Sequence, residues 1–117
     1  MYTIPFQTID WSNVEKTVHP GETGSAVWQT LQFGGLRVRL VEYSPHYKAD
    51  HWCQKGHIIY CLSGAFISEM EDGGEHLLSA GRMYVVSDGL SSHRSTSTHG
   101  ARILIVDGDF LQGAEKA

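Results

Sequence analysis

Within Asp50-His51-Trp52-Cys53-Gln54-Lys55-Gly56-His57 the chain places two histidines, a cysteine and an aspartate in eight residues. His51 and Cys53 are two apart, so in an extended strand they share a face. His57 follows across Gly56, which permits a tight bend, and opens the apolar run Ile58-Ile59-Tyr60-Cys61-Leu62. Two imidazoles and a thiol can therefore converge on one point between paired strands. Such a donor set suits zinc, copper or ferrous iron, whereas magnesium and calcium want oxygen ligands. Asp50 faces away from His51 in a regular strand. It can accept an imidazole N–H, serve as a turn residue, or displace His51 as a ligand if the register slips by one.

The chain around this stretch is that of a globular protein. Its 117 residues suit one domain with one core, and 41% hydrophobic against 19% charged residues exclude a disordered chain. A net charge of −4 and a pI of about 5.9 argue against a nucleic-acid footprint. The nine Lys and Arg are scattered, with no run that reads as a phosphate track or a membrane patch. No apolar stretch is long enough to span a bilayer. Met1-Tyr2-Thr3-Ile4-Pro5-Phe6 lacks the basic and apolar regions of a secretory signal. The expected compartment is the cytoplasm, where Cys53 and Cys61 stay reduced; a disulfide between them is the alternative. Of seven histidines, His46, His51, His57, His93 and His99 gather around two short segments.

The elements that must position these residues read as strands. Residues 1–24 form an irregular arm punctuated by Pro5 and Pro20-Gly21, with at most one helical turn at Ser12-Asn13-Val14-Glu15 and Trp11 free to dock on the body. From Ser25 the period becomes two. Ala26–Phe33 and Leu36–Tyr43 flank the hairpin signal Gly34-Gly35. In the second of these, Leu36, Val38 and Leu40 read as the buried face and Arg37 and Arg39 as the solvated one. Short strands follow at His51–Cys53, His57–Leu62 and Ala65–Glu71, with a break at Ser63-Gly64, then at Glu75–Ser79, Met83–Ser87, His93–Thr98 and Ala101–Asp107. The barrel spans 25–111 and a tail 112–117. Nine or ten short strands separated by turn signals predict an all-β sandwich or barrel.

Two spacings sharpen this. The first is His51-x-Cys53, three residues, His57, six residues, Gly64; the second is Gly81, five residues, Ser87, then Gly89 and His93. Together they resemble the two motifs of the cupin superfamily, over roughly residues 36–107. The first motif there is His-x-His, three or four residues, Glu, six residues, Gly; the second is Gly, five residues, Pro, x, Gly, two residues, His. Cys53 stands where the second His is usual, His57 where Glu is usual, and Ser87 where Pro is usual. His93 falls one residue late, a step that a β-bulge would absorb. More narrowly, the Asp-His-Trp-Cys run with Gly56-His57 looks like a group of single-domain bacterial cupins of the Asp-His-Cys-Trp (DHCW) motif type.

The resemblance implies a double-stranded β-helix, the cupin or jelly-roll barrel, and a divalent transition metal. Zinc is foremost, with iron, nickel and copper as alternatives. It implies the ligands His51, Cys53, His57 and His93. With all four bound, a tetrahedral site is filled and closed; with Cys53 standing off, His51, His57 and His93 leave open positions. The open form fits a metalloenzyme acting on a small polar molecule, of oxygenase or isomerase type. The closed form fits a binding or sensing module, and a barrel holding a small apolar ligand without metal is the third reading. Near the site, Asp50 and Tyr84 are the nearby candidates for proton transfer, Arg94 can bind an anion, Cys61 points into the core, and Tyr60 faces away from His57. His99 lies too far along its strand to join the same metal, and His46, at the Pro turn that precedes the motif, is a lesser candidate. The arm and the strand Ala26–Phe33 can cover a sheet edge of a second copy, which makes a homodimer the expected assembly.

Overall fold

The computed structural model describes residues 3–112. Its strands are β1 (Lys16–Pro20), β2 (Ser25–Phe33), β3 (Leu36–Tyr43), β4 (Tyr47–Lys48), β5 (His57–Met70), β6 (Glu75–Ser79), β7 (Met83–Val86), β8 (His93–Ser97) and β9 (Ala101–Gly108). Every pairing between them is antiparallel. The tail residues 113–117 lie outside the described residues.

β5 joins two sheets. Its first half lies between β9 and β7, at the end of a sheet that continues through β3 and β2 to β1. Its second half lies between β6 and β8, and β4 completes that second sheet. The change of sheet occurs where the register against β9 shifts between Cys61 and Ser63. The bulge adds one residue and reverses the parity of the strand. His57, Ile59 and Cys61 are buried before it, and Phe66 and Ser68 after it. Ser63-Gly64 is therefore a bend within one strand rather than the expected break. Gly64 has φ +74°, and a Cβ there would meet the Gly100 carbonyl oxygen at 2.4 Å. Only glycine admits that backbone approach.

The inner faces of the two sheets supply one core: Val41, Tyr43, Ile59, Cys61, Ile103 and Ile105 from the first, Phe66 and Leu78 from the second. Alternation along β9 is regular, with Ala101, Ile103, Ile105 and Asp107 inward. β3 shows the opposite parity to the one its sequence suggests. Arg39, Val41 and Tyr43 are buried, and Glu42 is exposed. The apolar residues Val38 and Leu40 lie on the outer face, half-buried, while Arg37 and Arg39 point into the barrel toward Asp107. An ion pair inside the barrel overrides the hydrophobic pattern.

The N-terminal region is more ordered than an irregular arm. A single 3-10 turn at Trp11–Asn13 is capped by Asp10, whose carboxylate accepts from the Ser12 amide at 3.0 Å. β1 follows and pairs with β2 along its length. The Gln29 side chain, on the outer face of β2, donates to the carbonyls of Trp11 and Val14 at 2.6 and 2.9 Å. These bonds hold the turn against its own sheet. β2 is an interior strand, between β1 and β3, and β1 forms the edge.

Candidate metal centre

His51–Cys53 does not form a strand; Cys53 alone makes an isolated bridge to His93. The two residues exchange both backbone bonds, Cys53 N–H to His93 O at 2.8 Å and His93 N–H to Cys53 O at 2.9 Å. This hydrogen-bonded antiparallel pair sets the two side chains next to each other on one face. His57, at the start of β5, reaches the same point from the neighbouring strand. Cys53 Sγ lies 3.8 Å from His57 Nε2, and the His57 and His93 rings meet edge to face at 5.4 Å. One donor atom from each of Cys53, His57 and His93 lies within 4.8 Å of the other two.

The loop carrying Cys53 is fastened to the turn between β7 and β8. Gly89 N–H donates to the Gln54 carbonyl at 2.8 Å, and Gly56 N–H donates to the Asp88 carboxylate. Gly56 is pressed against that turn: a Cβ would lie 2.5 to 2.6 Å from backbone atoms of Val86, Ser87 and Asp88. The chain runs from this turn through Leu90-Ser91-Ser92, outside any strand, before β8 opens at His93.

His57 Nδ1 is 2.9 Å from Asp107 Oδ2. Asp107 is fully buried and also accepts from Arg37, at 2.9 and 3.1 Å, and from Arg39, at 2.9 Å. Burial opposes its charge, but the bonds to His57 and Arg37 and the charges of both arginines prevail, and the carboxyl is held well below its usual range. An ionised Asp107 can only accept, so His57 donates from Nδ1 and presents Nε2 toward Cys53. Burial likewise opposes charge on His57, and the bonds to Asp107 and Cys53 overcome it and raise its pKa. The contact with His57, with the His93 ring beside it, brings the Cys53 thiol down to about 5.

His93 is buried, with Ser91 Oγ 2.8 Å from Nδ1. Its Nε2 is buried without a hydrogen-bond partner among the described residues. An unpaired buried ring nitrogen costs free energy unless something satisfies it. A metal held by Cys53, His57 and His93 does so. The donor set is also sterically apt: with Zn–S near 2.3 Å and Zn–N near 2.05 Å, tetrahedral ligands stand about 3.6 Å apart. The observed Sγ–Nε2 separation is 3.8 Å. The residues fit a soft divalent transition metal.

The other sequence candidates fall around this group. His51 stands apart from it, with a side chain 76% exposed and Nδ1 2.6 Å from Asp50 Oδ1. It lines the rim of the adjoining cavity. Asp50 thus orients an imidazole, as one of its readings expected, but at the surface. Tyr84 lies on the inner face, its ring 5.9 Å from that of His93, and burial raises its hydroxyl pKa so that it stays neutral. Arg94 pairs with Glu69 at 2.6 Å and stacks on Trp52 at 4.3 Å. Cys61 is fully buried in the core, Tyr60 faces outward, and His99 and His46 are exposed. Both cysteines are free.

Asp107, Arg37 and Arg39 were not singled out from sequence as site residues. A signal for Asp107 exists: a carboxylate ends the apolar run Ala101–Val106 at the inward parity, where a strand residue must find a partner.

No protein-family model and no curated protein matches the chain. Solved structures do. A polyketide cyclase from Streptomyces resistomycificus aligns with a TM-score of 0.72 at 18% identity, over 89% of this chain and 80% of its own. A putative ethanolamine utilization protein Q from Salmonella typhimurium gives 0.70 at 18% identity, over 86% and 84%. A sugar phosphate isomerase of the cupin superfamily from Silicibacter pomeroyi gives 0.69 at 19% identity, over 88% and 76%. With its two antiparallel sheets joined through β5, the chain has the cupin fold, a double-stranded β-helix of jelly-roll type.

Proposed function

We propose that this protein is a metal-binding cupin that acts on a small polar molecule by oxygenase- or isomerase-type chemistry, with Cys53, His57 and His93 as the metal ligands. The observation that carries this reading is the buried, unpartnered Nε2 of His93 beside Cys53 Sγ and His57 Nε2. Three protein ligands leave a coordination position for substrate or water, which favours catalysis over a closed structural site. A metal held there, zinc foremost, supplies a Lewis acid for a carbonyl or, in the case of iron, a centre for dioxygen chemistry. The chain's own residues hold the site: Asp107 fixes the His57 tautomer, Ser91 orients His93, and Tyr84 offers a neutral hydroxyl nearby. An isomerase and a cyclase occur among the proteins that share the fold, which accords with this range. The narrower likeness to DHCW-type cupins supports the metal but names no reaction.

Alkylation tests the ligand assignment. In metal-free protein near pH 7, iodoacetamide labels the half-buried Cys53 and spares Cys61, which is fully buried. Added zinc protects Cys53. Labelling of Cys53 at an unchanged rate in zinc-loaded protein would exclude it as a ligand.

We further propose a cytoplasmic homodimer. The free thiols accord with a reducing compartment. None of the described helices is long and apolar enough to cross a membrane. The outer face of the first sheet exposes Tyr60, Met83 and Val85 as neighbours on β5 and β7, a patch that a second copy can cover. Met83→Lys with Val85→Glu converts the dimer to a monomer in light scattering; an unchanged mass places the interface elsewhere.

A further inference from the structure

The candidate ligands open on a barrel cavity of about 220 Å³. Its lining is cationic in a chain of net charge −4: Arg37, Arg39, Lys55 and Arg94 border it, and no Asp or Glu does. Two of these cations are already committed. Arg37 makes two bonds to Asp107, and Arg94 is paired with Glu69. Arg39 is not. It is 5% exposed, donates from Nη2 to Asp107, and has a buried Nε with no partner among the described residues. Its guanidinium lies over the Trp28 ring, 4.6 Å from the centroid. Stacking uses the face of the guanidinium and leaves its in-plane N–H groups for other acceptors. A buried cation that shares one carboxylate with another arginine and keeps a donor unpaired is short of an anion.

We propose that this cavity binds a small monocarboxylate, its carboxyl group held by Arg39 beside Cys53, His57 and His93. Guanidinium and carboxylate form strong charge-assisted bonds. A phosphate dianion asks for several donors, of the kind that a helix N-terminus or a glycine-rich nest provides; among the arginines bordering this cavity, only Arg39 keeps a buried N–H unused. The volume lies below the roughly 300–1,000 Å³ of sites for drug-sized ligands, so the acid has few carbon atoms. The proposal names a substrate class for the proposed metal site and rests on that reading for the carboxylate's being a substrate, while anion binding itself needs no metal.

Propionate, its neutral isostere propionamide and inorganic phosphate are titrated by amide NMR into metal-free and zinc-loaded protein. Propionate is expected to shift resonances around Arg39 and Trp28 and to bind at least about tenfold more tightly than propionamide or phosphate. Both Arg39→Gln and Arg39→Lys should weaken propionate about tenfold or more, since lysine keeps the charge and loses the planar donor. The wild-type comparison stands even if neither variant folds. Equal binding of propionate and propionamide, preference for phosphate, or full affinity in folded Arg39→Gln overturns the proposal. Propionate discrimination in a protein whose Cys53 zinc does not protect would uphold the anion site and sink the metal reading. Zinc protection without discrimination would do the reverse.

Discussion

Replacing His57 or His93 by alanine abolishes zinc binding at micromolar protein, and Cys53→Ser weakens it by at least about a hundredfold, more than loss of a supporting hydrogen bond would. His51→Ala leaves affinity within about threefold, the context scatter expected of a residue outside the site. The contrast follows from position. Cys53, His57 and His93 bring donor atoms within 4.8 Å of one another, whereas the His51 side chain is 76% exposed and bonded to Asp50. Equilibrium competition against a chromophoric zinc chelator measures all four variants. A hundredfold loss in His51→Ala would restore the four-ligand site and close it.

Asp107→Asn is the second large effect. The substitution removes the charge that pairs with Arg37 and Arg39 and that fixes His57. It leaves two guanidinium groups side by side in the barrel with one neutral amide between them. Breaking a buried charge pair from one side costs about 3–5 kcal/mol. For a chain of this size that lowers the Tm by roughly 10 °C or more. Metal affinity falls as well, by about 10–100-fold, because the acceptor that holds the His57 tautomer is weakened. Thermal unfolding and zinc competition on one preparation read both. A stable Asp107→Asn protein with normal zinc affinity would remove Asp107 from the site.

Local signals carried the fold well. Hairpin glycines and period-two segments marked the strands, and the spacing from His51 to Gly64 pointed to the barrel. Long-range terms were harder to read. The parity of β3 was inverted because Arg37 and Arg39 look like solvated residues until Asp107, about seventy positions on, is known to face them. The bulge after Cys61 was read as a strand end because Ser63-Gly64 carries the chemistry of a turn; it is a bend forced by the approach of Gly100. The convergence of Cys53, His57 and His93 on one point was legible from residue type and spacing. The placement of His51 was not, because it depends on Cys53 pairing with His93 through a single bridge rather than a continuous strand.

That bridge bears on whether Cys53 closes the metal off or leaves a place for chemistry. Of the four expected ligands, Cys53, His57 and His93 converge and His51 stands apart, so a thiolate among three ligands would leave the last tetrahedral position open. X-ray absorption at the zinc edge of the loaded protein tests this most directly. The predicted shell is one sulfur at about 2.3 Å, two imidazole nitrogens at about 2.0–2.1 Å and one exchangeable light atom. A shell with no sulfur, or one sulfur with three imidazoles and nothing exchangeable, would contradict it.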